Sequence, residues 1–409
     1  MEPVMFADDT SFWFETLRVL GATAYGGADI GEVLTTAQAI TAGDYDSWYD
    51  QWLATADWVT AEAEKALAAG HFVSARDGLM RASNYYRSAD FYLHANPSDP
   101  RIAHAYIRAR ETFIAGAALL DPPVEPIEIP YDNTVLRGYF YPAVGRTDSG
   151  PIPTIIMHSG FDGTCEEMHW MGAAAAQERG YNVVTFDGPG QPAALHFDGL
   201  VFRPDWDHVV TPVLDWVLNR PDVDSERVVL FGASMGGVLA PRAAAYEHRL
   251  AACIAFDGVY DMGLTALGWI PGDRTETEAM LRAEAAPEAD AVIEQLMAAN
   301  PNIRWAATHG QYALGVESPR ALFAAFLDYT LAGGIAEQIT CPTLVCEAAS
   351  DIFFEGQPQL LFDHLTCPKA LVKFTDAEGA GAHCQVGAAR LANARIFDWL
   401  DETLAAPAR

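Results

Sequence analysis

A serine flanked by glycines lies between an apolar run and a helical pattern. Residues 228–231 are apolar, Gly-Ala-Ser-Met-Gly follows at 232–236, and residues 238–244 have helical character. A strand, a sharp turn and a helix together form the setting of a nucleophile elbow, which exposes the serine above the strand ends. The N–H groups at the start of the helix favour negative charge that develops beside them. This context predicts Ser234 as a nucleophile.

A nucleophilic serine requires a base, and the base requires a carboxylate that orients it. Asp351 follows a strand pattern in a short polar loop, at the same edge of the predicted sheet as Ser234. His383 follows the last strand, in a loop of small residues just before the closing helix. The order Ser, Asp, His is the one expected after a nucleophile elbow. Asp351 also suits loop capping, and Glu347 and Asp376 are reserve candidates for the acid.

A glycine-containing turn after another strand predicts half of an oxyanion hole. His-Ser-Gly-Phe-Asp-Gly-Thr occupies residues 158–164, and its glycines let the backbone approach a ligand. The N–H of Phe161 or of Asp162 can then pair with that of Met235. Two such donors would hold the oxyanion of a tetrahedral intermediate. His158 is expected to support this loop.

Two glutamates begin the helix after this turn. Glu166 and Glu167 suit capping and compensation of the helix dipole. The alternative is a carboxylate that faces Ser234 and orients the substrate. His158, Glu166 and Glu167 are therefore the candidate substrate-binding residues.

These loops need a sheet whose strands end at one edge. Two strand patterns flank Asp132-Asn133 and predict a β-hairpin, and further strands are predicted over 152–158 and 182–186 with a helix between them. Alternation of strands and helices predicts an α/β fold with a mostly parallel sheet and helices on both faces.

The first part of the chain is helical throughout. Asp-Pro-Pro at 121–123 ends this pattern and divides the chain into an all-helical cap, 1–121, and a catalytic domain, 122–409. Helices are predicted to start after Asp44, to cover 72–94, and to run from Pro100 to Leu120. Most aromatic side chains of this region are expected in its core, and a minority are expected to line a pocket for an apolar or aromatic substrate. Residues 262–339 are expected to cover the sheet edge and to close the pocket with the cap.

The amino-acid composition bears on which binding partners and which cellular location are expected. The net charge is −30, from 25 basic and 55 acidic residues, which argues against nucleic-acid and anionic-membrane partners. No apolar run approaches the length of a membrane span, and no signal peptide is apparent. Six cysteines without paired spacing suit reduced core thiols, so the cytoplasm is the expected location.

The chain resembles the α/β-hydrolases with an N-terminal helical cap, a group that includes 2,6-dihydroxypseudooxynicotine hydrolase and the fungal polyketide-shortening hydrolases of pigment synthesis. The resemblance covers roughly residues 125–400, and the helical N-terminal region is of the same type as the cap of these hydrolases. The segments that carry it are Gly-Phe-Asp-Gly-Thr at 160–164 with Glu166-Glu167, Asp-Gly-Pro-Gly at 187–190, Gly-Ala-Ser-Met-Gly-Gly at 232–237, Cys-Pro-Thr-Leu-Val at 341–345, Asp351, and Ala-Gly-Ala-His-Cys-Gln at 380–385.

The resemblance implies an α/β-hydrolase fold, hydrolysis of a carbon–carbon bond beside a ketone in an aryl or polyketide-like compound, and a homodimer. One departure is Gln191-Pro192, where relatives commonly carry Gln-Gly.

The chemistry expected from these residues is serine hydrolysis of a small molecule, which requires no metal or organic cofactor. Ester or amide cleavage by the same groups is the first alternative. A lyase, cyclase or epimerase without an acyl-enzyme is a second, and a non-catalytic binding module is disfavoured.

Overall fold

The computed structural model describes residues 3–145, 150–268, 270 and 273–405. Parts of the predicted segments 1–121, 122–409 and 262–339 therefore lie outside the described residues. The strands are β1 (Glu125–Tyr131), β2 (Thr134–Tyr141), β3 (Ile152–His158), β4 (Asn182–Phe186), β5 (Val223–Ala233), β6 (Ala252–Phe256), β7 (Thr343–Ala348) and β8 (Lys369–Phe374).

Helices precede the sheet and alternate with its strands. The α-helices are α1 (Thr10–Gly21), α2 (Ile30–Ala39), α3 (Tyr45–Ala68), α4 (Phe72–Ala89), α5 (Pro100–Ala117), α6 (Ala174–Glu178), α7 (Pro192–Asp198), α8 (Asp207–Leu218), α9 (Gly236–Ala244), α10 (Met262–Gly268), α11 (Arg274–Arg282), α12 (Pro287–Ala299), α13 (Pro301–Leu314), α14 (Pro319–Phe326), α15 (Gln357–His364) and α16 (Ala389–Ala405). Short 3₁₀ turns cover Ala22–Tyr25, Ala336–Gln338, Asp376–Glu378 and His383–Gln385, and a π-helical turn covers His169–Ala173.

The strands pair in the order β1-β2-β4-β3-β5-β6-β7-β8. β2 runs antiparallel to both of its neighbours, and every pairing from β4 to β8 is parallel. The carboxyl ends of the parallel strands therefore meet at one edge, where ligands bind in open α/β sheets. The prediction of a mostly parallel α/β fold is confirmed, with β2 as its antiparallel member.

Alternate side chains of each strand enter two different cores, one on each face of the sheet. Ile155 and Met157 of β3 pack in the core that contains the N-terminal helices and α16, whereas Ile156 packs in the core that contains α8, α9 and helices from 262–339. The N-terminal helices thus share a continuous core with one face of the sheet.

The N-terminal helices begin where capping residues predict. The Asp44 carboxylate accepts from the N–H groups of Asp46 and Ser47 at the start of α3, and α5 begins at Pro100 after Asp99. α4 ends at Ala89 rather than at the predicted 94, because the residues beyond it bond elsewhere. The Trp305 indole N–H, for example, donates to the Phe91 carbonyl at 3.2 Å.

The cap core is aromatic. The fully buried side chains Trp48, Trp52, Tyr85 and Tyr86 belong to α3 and α4, in agreement with the predicted core role of this region's aromatic residues. Within the described ranges, none of the helices is both long and apolar enough to cross a membrane.

Candidate active site

Ser234 stands at the turn between β5 and α9. Its φ is +60°, a backbone conformation that costs a non-glycine residue energy and that recurs at active sites. The turn is tight because a Cβ on Gly232 would lie 2.2 Å from the Gly236 carbonyl oxygen, and one on Gly236 would lie 2.9 Å from that of Ser159. The two glycines therefore relieve the crowding that the sequence predicts around an elbow.

His383 connects Ser234 to Asp351. The His383 Nε2 atom lies 2.9 Å from Ser234 Oγ, and its Nδ1 atom lies 2.9 Å from Asp351 Oδ2. Asp351 also accepts from the N–H groups of Phe353 and Phe354 at 2.8 and 3.1 Å. Burial opposes the charge of Asp351, but the His383 imidazole and these N–H groups hold the pKa of the carboxyl below its usual range. The structure thus brings together Ser234, Asp351 and His383.

A second carboxylate, absent from the sequence expectations, also contacts His383. Asp257 follows β6, is fully buried, and places Oδ2 3.0 Å from His383 Nδ1. It accepts from the Cys384 N–H and, at 2.9 Å, from the Gln385 side-chain amide. Burial disfavours the imidazolium, but the two carboxylates outweigh it and raise the pKa of His383 well above its ordinary value. The available signal was an aspartate directly after a buried strand of the sheet.

The predicted oxyanion loop passes close to the elbow. A Cβ on Gly160 would lie 2.5 Å from the Met235 backbone nitrogen and 2.9 Å from Ser234 Cβ. Across the described part of the chain, the N–H groups of Phe161 and Met235 have no acceptor within the protein. The loop therefore brings free backbone donors beside the serine.

Side chains from other elements hold this loop. The Gln191 amide N–H donates to the Ser159 carbonyl at 2.7 Å and to the Gly160 carbonyl at 3.2 Å, while its oxygen accepts from the Gly188 N–H at 2.7 Å. His309 Nε2 lies 2.9 Å from the Phe161 carbonyl. Burial lowers the pKa of His309 to about 3, so its neutral ring donates this bond. Gln191 follows the Asp-Gly-Pro-Gly segment at 187–190, and no local motif marks either Gln191 or His309 as a support of this loop.

His158 does not line the cavity beside Ser234, so the cavity gives no support to its place among the substrate-binding candidates. The side chain is fully buried, its Nδ1 lies 2.8 Å from the Ser159 carbonyl, and its Nε2 accepts from the Trp206 indole N–H at 3.3 Å. Burial lowers the pKa of His158 to about 4 and keeps the ring neutral. Its contact with the Ser159 carbonyl is compatible with the expectation that His158 supports this loop.

Neither Glu166 nor Glu167 lines the cavity beside Ser234, so the cavity gives no support to the alternative that they orient the substrate. Glu166 accepts from the Tyr139 hydroxyl at 2.7 Å and lies 3.5 Å from Arg110. Glu167 accepts two hydrogen bonds from Arg18, at 2.6 and 2.5 Å. Both side chains are engaged by arginines from the N-terminal helices, so they fasten the helical region to the sheet domain.

The reserve acids lie apart from His383. Glu347 pairs with Lys373 at 2.8 Å, and Asp376 accepts from the Ser350 hydroxyl. Asp351 is therefore the candidate acid that the geometry favours among those the sequence offered.

Ser234 and His383 open into a cavity of about 890 Å³, part of it continuous with solvent. Its apolar wall contains six aromatic side chains, Phe14, Phe161, Trp305, Phe326, Phe353 and Phe354. Phe14 comes from α1, and Trp305 and Phe326 come from the 262–339 segment, so both covering segments contribute to the wall. A cavity of this size and lining suits a bulky apolar or aromatic molecule.

Glu15, Arg18 and Asp162 form a polar part of the cavity wall. They belong to a buried ion cluster, the Arg18 cluster, which also contains Glu167 and Arg87 behind the wall. Arg18 Nη1 donates to Asp162 at 2.5 Å and lies 3.4 Å from Glu15. The Asp162 carboxylate is thus a partner of Arg18, which leaves only its N–H for the predicted oxyanion role. Glu15 and Arg18 lie more than 200 positions before Ser234, and no local motif signals them.

Other side chains group with the spacing of metal ligands. Among the described residues, ligand atoms of Asp90, His94 and His196 lie within 4.8 Å of one another and could hold a metal ion. The neighbouring His94 and His309 rings also bond each other at 2.7 Å through their Nδ1 atoms. This group lies between the N-terminal helices and the sheet domain, and the serine chemistry does not use it.

Comparison with known proteins agrees with this architecture. The sequence profile of the Alpha/beta hydrolase family matches residues 155–394, and that of the family described as Esterase FrsA-like matches residues 28–266. Hydrolase LUC6 of a Fusarium species is 37% identical, over 96% of each chain. The 20-hydroxy-prefusarin hydrolase FUS2 of Gibberella moniliformis is 38% identical, over 98% of each chain.

A solved structure has the same fold. The crystal structure of 2,6-dihydroxy-pseudo-oxynicotine hydrolase superposes with a TM-score of 0.72 at 24% identity, and the match covers 94% of this chain and 96% of that one.

Proposed function

The chain belongs to the α/β-hydrolase family and is a hydrolase, and from this premise we propose that Ser234 is its nucleophile, His383 its general base and Asp351 the orienting acid. The observation that carries the proposal is the continuous path from Ser234 Oγ through both ring nitrogens of His383 to Asp351, at 2.9 Å for each step. This path opens into the aromatic cavity, where a carbonyl can approach the serine.

The first step forms an acyl-enzyme. With the Nδ1 proton directed at the carboxylates, His383 Nε2 accepts the Ser234 proton, and Oγ attacks the substrate carbonyl. The N–H of Met235 and that of Phe161, or of its neighbour Asp162, hold the oxyanion. Support comes from the free N–H groups of Met235 and Phe161 and from the approach of Gly160 to the elbow. Collapse of the adduct breaks the bond, and water then releases a carboxylic acid.

The proposed substrate is a bulky aromatic or polyketide-like small molecule, cleaved at a carbon–carbon bond next to a ketone. The cavity supports the size and the apolar character, because six aromatic side chains line it. The resemblance to capped α/β-hydrolases supports the bond type. The relative FUS2 is named for a 20-hydroxy-prefusarin substrate, and a molecule of that general kind is proposed here.

Ester cleavage is the second candidate, because the Esterase FrsA-like profile matches residues 28–266. The same triad and oxyanion donors serve both reactions, which differ only in the leaving group.

The test compares the wild type with Ser234→Ala on two probes, 1-phenylbutane-1,3-dione and 4-nitrophenyl acetate. Chromatography with mass detection identifies the products. The proposal expects a carboxylic acid and a ketone from the diketone, and a loss on the order of 10⁴- to 10⁶-fold in the variant. Wild-type cleavage of the ester alone would favour the second candidate. Diketone turnover that survives Ser234→Ala would contradict the acyl-enzyme and favour a lyase or cyclase.

A further inference from the structure

We propose that Glu15, on helix α1 of the N-terminal region, is the acid that protonates the leaving carbon when a carbon–carbon bond is cleaved at Ser234. The inference rests on the proposed function, because only a carbon leaving group needs this proton. Glu166 and Glu167, the other carboxylates considered near Ser234, do not line the cavity and are bonded to Tyr139 and Arg18.

Glu15 lines the cavity into which the reacting groups open. Ser234 and His383 line the same cavity, and the Glu15 side chain is only 6% exposed. The preceding residue, Phe14, places its ring 6.2 Å from the His383 ring. Helix α1 therefore presents a carboxyl group to a substrate held between the helical region and the elbow.

The hydrogen bonds of the Arg18 cluster leave Glu15 loosely held. Arg18 directs its short bonds to Glu167, at 2.6 and 2.5 Å, and to Asp162, at 2.5 Å. The nearest Glu15 oxygens lie 3.4 and 3.5 Å from Arg18 Nη1. Glu15 is thus the carboxyl group of the cluster that is free to bond a ligand.

The charge of the cluster favours a proton on Glu15. Three carboxyl groups, those of Glu15, Asp162 and Glu167, surround the two guanidinium groups of Arg18 and Arg87, so the cluster is neutral when one carboxyl is protonated. Burial raises the pKa of Glu15 to about 7 against the attraction of Arg18, with help from the Asp162 carboxylate. Arg18 instead lowers the pKa values of Asp162 and Glu167, although burial opposes this. Near neutral pH, a large fraction of Glu15 therefore holds the proton that it would donate.

The step balances as follows for a diketone. Ser234 Oγ bonds to the carbonyl carbon and His383 takes the serine proton. When the adduct collapses, the electron pair of the carbon–carbon bond moves to the leaving carbon, which takes the Glu15 proton and departs as a ketone. The proton on His383 passes to solvent, Glu15 regains a proton from solvent, and water then hydrolyses the acyl-enzyme. The net reaction is addition of one water across the bond.

His383 is poorly suited to deliver this proton itself. Its Nδ1 atom is held between Asp351 and Asp257, which stabilise the imidazolium, and a strongly held proton is a weak acid. A 4-nitrophenolate leaves as a stable anion without a donor. Loss of Glu15 should therefore separate carbon–carbon cleavage from ester cleavage.

The experiment measures both activities in Glu15→Gln, with Glu32→Gln as the matched control. Glu32 is a carboxylate of α2 that accepts from Arg81 at 2.9 Å and from Tyr85 at 2.7 Å, away from the cavity. The proposal expects Glu15→Gln to lower kcat for 1-phenylbutane-1,3-dione by about 10²- to 10⁴-fold. Its turnover of 4-nitrophenyl acetate should stay near the wild-type rate, and Glu32→Gln should retain both activities.

The outcomes distinguish this inference from the proposed function. If Glu15→Gln cleaves the diketone at the wild-type rate, or loses both activities while it remains folded, Glu15 is not the donor and the role of Ser234 stands. If the Ser234→Ala variant cleaves the diketone at the wild-type rate, the proposed function itself fails. If Glu15→Gln does not fold, the wild-type pH profile decides. The ratio of diketone kcat to ester kcat should fall above about pH 7, because only diketone cleavage needs the Glu15 proton, and a constant ratio would overturn the inference.

Discussion

His383 lies between two carboxylates, and this arrangement sets how readily it accepts a proton. Asp351 and Asp257 lie 2.9 and 3.0 Å from the same ring nitrogen. Both stabilise the imidazolium, which favours proton uptake from Ser234 but also keeps the ring protonated at low pH. The imidazole must be neutral before it can act as a base, so its raised pKa should limit activity on the acid side.

Asp257→Asn should move the acid limb of the kcat/KM profile to lower pH. Removal of one carboxylate destabilises the imidazolium, so the pKa of His383 falls and the neutral base persists at lower pH. The measurement is kcat/KM for 4-nitrophenyl acetate between pH 5 and 9. For comparison, Asp351→Asn removes the orienting acid and is expected to lower kcat by up to about 10⁴-fold. An unmoved limb in Asp257→Asn would show that this residue only shapes the Cys384–Gln385 turn.

The sequence predicts only those site residues that stand in a recognisable local motif. The sequence predicts Ser234, Asp351 and His383 as a triad because each stands in a recognisable turn after a strand, and the structure brings their side chains together. Asp257 also follows a strand, but its backbone has a φ of +63°, and neither this conformation nor its contact with His383 can be read from the local sequence. Glu15 acquires its place only when α1 packs over the sheet edge, and no pattern around residue 15 encodes that contact.

At the scale of secondary-structure elements, the site residues depend on where the strands and helices end. The strand boundaries of β3 and β4 agree with the sequence prediction, because continuous apolar runs mark buried strands. The end of α4 does not, since Trp305 binds a carbonyl just beyond it. Tertiary bonds of that kind override local helical pattern, and they fix where the two parts of the chain meet.

The buried amide of Gln191 is one of the groups that hold the predicted oxyanion loop. Gln191→Leu should lower kcat for 4-nitrophenyl acetate by up to about 100-fold, because the Ser159 and Gly160 carbonyls lose their donor and the loop shifts. Gln311→Leu is the control, since that amide donates to a carbonyl within α13 at 3.0 Å. Wild-type kcat in Gln191→Leu would contradict the bracing role.

At the scale of the whole molecule, the N-terminal helices and the sheet share a core and an ion cluster. Arg18 joins α1 to Asp162 and Glu167 of the sheet domain. The division at 121–123 remains a prediction, yet these contacts imply that the two parts unfold together. Fluorescence of the cap tryptophans and far-ultraviolet circular dichroism should report the same transition.

Arg18→Met should lower the free energy of unfolding by about 3–5 kcal/mol, because it leaves buried carboxylates without their partner. Lys65→Met is the control: its pair with Glu62 is exposed, so a change below about 0.5 kcal/mol is expected. Urea titration measures both, and equal effects would contradict the role of the cluster.

The homodimer implied by the resemblance remains a proposal. Sedimentation equilibrium should give twice the mass of one chain, and the fraction of dimer should rise with salt, because the net charge of −30 makes the subunits repel each other. A monomer at all salt concentrations would contradict it.

The most direct test of the account is intact-mass analysis after treatment with a small fluorophosphonate, which modifies activated serines. Wild type and Ser234→Ala are compared, with thermally unfolded wild type as the control. The account predicts one adduct on the folded wild type and none on either other sample, because only the folded site activates Ser234. An adduct that persists in Ser234→Ala, or turnover of 4-nitrophenyl acetate by a wild type that the reagent does not modify, would contradict Ser234 as the nucleophile.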